Sequence, residues 1–146
     1  MQLAELDKPE TVEHLLSWLN STVSELSPVF TLEQLIKTGH IANTLIEVDA
    51  EVFKPLTEGE CDIQRQLGLL ERFLENDLGK TIKRRFRLEL VQKSNYAMLL
   101  GVVLFTCVHC VKKERHIKNI LEESASTQTC IMRVIELMDR NIANIS

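Results

Sequence analysis

The segment YAMLLGVVLFTCVHCV, from Tyr96 to Val111, is apolar on almost every side at helical spacing. A helix with no polar face cannot lie on a water-exposed surface, so it must run through the middle of a domain with other elements packed around it. At sixteen residues it is too short for a membrane span, which needs about 20. Nothing elsewhere in the chain alternates polar and apolar residues over a convincing length. Five glycines and three prolines in 146 residues are few for a fold built from many tight turns. The expected fold class is therefore all-α, a single helical domain whose buried centre is this segment.

The flanking sequence supplies the surrounding helices. Pro9 is a favourable first-turn residue. After it Val12, Leu15, Leu16 and Leu19 form one apolar face with Trp18 beside it. Pro28 interrupts the chain, and TLEQ then places Thr31 and Gln34 at capping-box spacing for a short helix. A further helix is expected over His40–Val48, turning out at Asp49 and stopping before Pro55. Ile63, Leu67, Leu70 and Leu74 mark an amphipathic helix over 62–76 that Gly79 can end. Ile82, Phe86 and Leu90 mark another in the basic stretch, and Ser94 is placed to cap the apolar one. A chain of this length buries roughly 70% of its unfolded surface, enough for a core without disulfides or metal.

The net charge of −4 conceals an asymmetry. Residues 1–79 hold fifteen acidic and five basic residues, whereas residues 80–118 hold ten basic and two acidic. The basic block can meet an acidic partner surface or phosphate, or it can complement the acidic first half of its own chain. Within it KRRFRLEL carries Lys83, Arg84, Arg85 and Arg87, the candidate contacts for a cytoskeletal filament. It is short, includes Glu89 and sits in an acidic chain, so nucleic-acid binding is not expected.

Cys107 and Cys110, three apart and flanked by His109 and His116, suggest metal or redox chemistry at first sight. A thioredoxin-like pair needs a strand–helix context, and a structural zinc site needs four ligands. No second paired ligand motif accompanies these residues, and cysteines on a very apolar helix act as small buried hydrophobes. No metal, no cofactor and no catalytic constellation is expected, since glycine-rich phosphate loops and G-x-S-x-G elbows are also missing. The charged start MQLAELDKPE is unlike a secretory signal, and four cysteines in that setting read as free thiols of a cytosolic or nuclear protein.

After EESAST, Gln128, Ile131, Ile135, Met138 and Ile142 recur at steps of three and four, a heptad seam headed by one polar residue. Cys130, Val134 and Leu137 form a second row. Both rows can be core, or one can pack inward while the other offers a groove.

Three stretches, HLLSWLN (14–20), GHIANTLIEVDAEVF (39–53) and LLGVVLFTCVHCVKKERHIKNILEES (99–124), resemble in order segments of the Hook domain. That is a divergent calponin-homology-type helical domain at the head of Hook-family dynein adaptors. Thr106 stands where the family places the first cysteine of its pair. The resemblance implies a domain over 1–146, with a core over about 9–120 and a final groove-forming helix over about 122–144. It also implies an interaction module that binds an amphipathic helix of the dynein light intermediate chain. The glutamine and isoleucine that carry this contact in the family align with Gln128 and Ile135 of QTCIMRVI. Apolar side chains of the incoming helix are then expected against Ile131, Ile135 and Met138, with Met132 adapting to imperfect fit and Gln128 satisfying a backbone group of the partner. A downstream coiled coil, and with it a homodimer, would follow in such a protein. It would sit in the cytoplasm on the cytoskeleton, a centrosome or an organelle surface, without inserting into membrane. Microtubule binding through residues 80–93 is the competing reading.

Overall fold

The chain is described by a computed structural model covering residues 6, 8–35, 38–57, 65, 69, 72–73 and 96–143. Its described helices are α1 (Pro9–Thr22), α2 (Leu32–Leu35), α3 (His40–Val48), α4 (Ala50–Phe53, continued by a 3₁₀ turn over Lys54–Thr57), α5 (Tyr96–His109), α6 (Lys113–Leu121) and α7 (Ala125–Ala143). No strand occurs among the described residues. The all-α expectation is met.

α5 is the axis of the domain. Every residue from Leu99 to Cys107 is buried, and nine consecutive helical positions point in all directions around the axis. Its neighbours are α1, α3, α6 and α7. The one hydroxyl in this run, on Thr106, donates to the Val102 carbonyl at 2.8 Å and so reaches the core with its polar group satisfied. Gly101 permits a close approach: a Cβ there would lie 3.0 Å from Met138 Sδ on α7 and 3.4 Å from Leu6 Cδ1. α5 ends at His109, two residues earlier than its apolar pattern. His109 stacks on Phe105 at 4.2 Å between ring centroids.

Local chemistry sets the other boundaries. α1 begins at Pro9 with Glu10 in its first turn, where an acid favours the helix dipole. Its far end is secured by Asn20, whose Nδ2 donates to the Val29 carbonyl at 2.8 Å while Oδ1 accepts from Val29 N at 2.9 Å. That pair folds residues 23–29 back on the helix and buries Val23 and Val29. Thr31 Oγ1 accepts from Gln34 N, and Gln34 Oε1 accepts from Phe30 N, a capping box whose return bond reaches one residue further than usual. α3 runs over His40–Val48 as expected. Asp49 then turns extended, and its Oδ1 accepts from the amides of Glu51 and Val52 to start α4.

Of the expected helix over 62–76, Arg65, Leu69, Arg72 and Phe73 are described and are helical, and Phe73 packs on Phe53 with centroids 5.4 Å apart. The expected helix through Ile82, Phe86 and Leu90, the Ser94 cap, and Lys83, Arg84, Arg85 and Arg87 lie outside the described residues.

Candidate functional site: the edge between α6 and α7

The last two helices follow from one polar cluster. Ser124 Oγ accepts from Thr127 N at 3.3 Å, and the Ser124 carbonyl accepts from Gln128 N at 2.9 Å, so EESAST caps the final helix. Thr127 is buried. Its Oγ1 lies 2.9 Å from His14 Nδ1 on α1, which fixes the rotation of α7 about its own axis. With Thr127 pointing inward, Ile131, Val134, Leu137 and Met138 follow it into the core. Cys130, half-buried, faces a shallow depression beside α1 lined by Thr11, His14 and Arg133 among others.

This rotation corrects the seam read from spacing. Ile131 and Met138 are 0% and 2% exposed and are part of the domain's own core, so they lie beneath the surface that a partner would touch. The exposed flank of α7 is Gln128, Met132 and Ile135, of which Met132 is 54% exposed and the other two are half-buried. The buried face of α7 centres on Thr127 and Val134, and the seam is one rim of it. Ile142 is helical in backbone.

Gln128 is engaged with its own chain. Its Nε2 donates to the carbonyls of Leu121 at 3.1 Å and Glu123 at 2.8 Å, closing the C-terminal end of α6. The same contact brings α6 alongside the exposed flank of α7. α6 was not separated from the apolar helix by sequence pattern, yet it contributes Ile117, 40% exposed, and Leu121, 64% exposed, one helical turn apart on one face. Ile117, Leu121, Met132 and Ile135 are apolar side chains that the two adjoining helices of this α6–α7 edge leave exposed or half-buried, and Gln128 ties one helix to the other. α6 itself is held by two buried side chains, His116 and Ile120, and by an Arg115–Glu47 ion pair of 2.6 Å to α3.

Cys107 and Cys110 lie inside the core. Cys110 Sγ is 3.3 Å from the Cys107 carbonyl, and burial raises both thiol pKa values, that of Cys107 well above its ordinary range. They are therefore protonated, weakly nucleophilic packing groups at neutral pH. Among the described residues no group of three or more His, Cys, Asp or Glu side chains could hold a metal ion. No described helix is long and apolar enough to cross a membrane.

No family model matches the chain, and no curated protein matches its sequence. A solved structure does: the conserved domain of mouse HOOK1, in solution, is similar over 90% of this chain and 92% of that one, with a TM-score of 0.64 and 22% sequence identity. That likeness concerns the fold, and it spans most of the chain rather than one motif. The chain has a Hook-domain-like, calponin-homology-type helical fold.

Proposed function

We propose that this chain is a protein–protein interaction module of a dynein adaptor, and that the α6–α7 edge receives an amphipathic helix of the dynein light intermediate chain. The observation that carries this reading is the exposure of Ile117, Leu121 and Met132 beside half-buried Ile135, four apolar side chains on adjoining helices of a Hook-domain-like fold. An incoming helix presenting apolar residues at i, i+3 or i+4 and i+7 would bury them against this edge. Ile131 and Met138 support the edge from below, and Gln128 keeps its two walls together. The adaptor would act in the cytoplasm, joining the motor to a cargo through segments outside this domain.

The test is binding of a light-intermediate-chain helix peptide to the wild type, Leu121→Asp and Met132→Asp. Both positions are exposed, so the fold should survive, which circular dichroism checks. An affinity loss of about tenfold or more in each variant is expected, from about 1.4 kcal/mol or more per lost anchor. Unchanged affinity in both, with the helical content intact, overturns the assignment.

A further inference from the structure

α6 is a nine-residue helix that buries two side chains, and one of them is a histidine. His116 is 1% exposed, and neither ring nitrogen has a hydrogen-bond partner. A buried neutral imidazole without partners is tolerable, whereas a buried imidazolium in the same place is not. α6 has little else to hold it. Ile120 is its other anchor, Gln128 ties down its end, and the Arg115–Glu47 pair lies on the surface, where such pairs contribute about 1 kcal/mol or less. We infer that α6 is an acid-released latch: protonation of His116 undocks this helix from α3 and the core, and so dismantles the α6–α7 edge.

The groups around His116 favour this outcome. Beside it Arg115 and Lys112 are cationic and repel a second positive charge. Across from it, on α3, Glu47 attracts one, and the Glu47 carbonyl acts in the same sense without reaching hydrogen-bond geometry. α1, α5 and α7 also pack on α6 and add no charged group to this set. Burial outweighs the attraction of Glu47, so the pKa of His116 lies below its ordinary 6.5. The sign follows. Above pH 6.5 the ring is neutral whether docked or free, and docking is unaffected. Below 6.5 the released helix takes up a proton that the docked one resists, and docking weakens until the pH reaches the lowered native value. Ring exposure requires movement of a short helix, not of the axis, so release can be local.

The consequence for partner binding rests on the docking role proposed above, whereas release of α6 does not. The experiment is an amide and imidazole NMR titration of the 146-residue chain from pH 7.5 to 5.0. Residues 113–121 are expected to lose their native shifts together with titration of the His116 ring, while α3 and α5 keep theirs. In His116→Phe the α6 signals should persist to the lowest pH. Persistence of α6 in the wild type at pH 5.0, loss of all helices in one step, or α6 loss undiminished in His116→Phe each overturns the latch. If His116→Phe does not fold, the wild-type ring titration decides alone: a ring that titrates with no change in α6 overturns it. A parallel peptide titration separates the two readings. Affinity present at pH 7.5 and lost at least tenfold at pH 5.5 in the wild type, but not in His116→Phe, supports the regulatory role. Absence of binding at both pH values overturns the docking reading and its regulation, while release of α6 is still decided by the NMR arm.

Discussion

Gln128 and Leu121, seven residues apart, are joined side chain to backbone, with the Gln128 amide nitrogen 3.1 Å from the Leu121 carbonyl. The same nitrogen also serves the Glu123 carbonyl. One side chain in the first turn of α7 thus terminates α6 and sets the separation of the two apolar rows. Gln128→Ala should lower stability by about 1 kcal/mol, because water can replace a bond near the surface. It should weaken peptide binding through displacement of α6. Urea denaturation and peptide titration on one variant check both, and unaltered binding would show that the edge does not depend on this tie.

Gly101 on α5 faces Met138 of α7 at close range. Ala at this position gains helix propensity and meets one flexible sulfur, so its effect should be small. Gly101→Val has no such escape, since its branched side chain would press on Met138 and Leu6. A loss of about 1–3 kcal/mol is expected by denaturation.

How much of this was readable in advance depended on whether a local signal governed the outcome. α3 was readable to the residue, because Gly39 precedes it and Asp49 both ends it and caps α4. α1 was likewise marked by Pro9. The rotation of α7 was not. Spacing identifies which residues share a stripe, but which stripe faces inward was decided by the His14–Thr127 contact across 113 residues. α6 was missed for a related reason. Of its nine residues five are charged or histidine, so its inward-facing His116 resembled the rest of a polar surface. The Hook-domain resemblance drew attention to the last helix, and only packing could show that Ile131 and Met138 lie in the core.

Asn20 makes two bonds to one residue, which suits it to a substitution test. Asn20→Ala removes both and leaves Val29 without its tether, and a loss of about 1–3 kcal/mol is expected. Proteolysis should become faster within residues 23–30 before it does elsewhere. Equal protection of that segment in the variant would contradict the assignment.

His40 is 2% exposed on α3, and burial holds its pKa below the ordinary 6.5 against the opposing influence of the Ser27 carbonyl and Glu25. A depressed histidine leaves stability whole above pH 6.5 and removes it as pH falls through the native value. With His116 behaving alike, global stability should fall on acidification from pH 6.5, by at most about 1.4 kcal/mol per pH unit for each group. Guanidinium midpoints at pH 7.5, 6.5 and 5.5 read this directly. His40→Gln should remove part of the dependence without affecting the behaviour of α6.

Cys107 and Cys110 should resist iodoacetamide in the native protein and react once it is denatured, whereas half-buried Cys130 should be labelled earlier. Mass spectrometry of the labelled peptides distinguishes the three sites. Native labelling of Cys107 ahead of Cys130 would mean that α5 opens far more readily than its enclosure suggests.

The encirclement of α5 also bears on the order in which a nascent chain can acquire structure. Its walls come from α1 and α3, made before it, and from α6 and α7, made after it. While α7 is still inside the ribosome, the most apolar of the described helices has emerged with one side uncovered. Completion must wait for Val134, Leu137 and Met138, so a chain stalled just past α5 would be a client for chaperones rather than a partly working module.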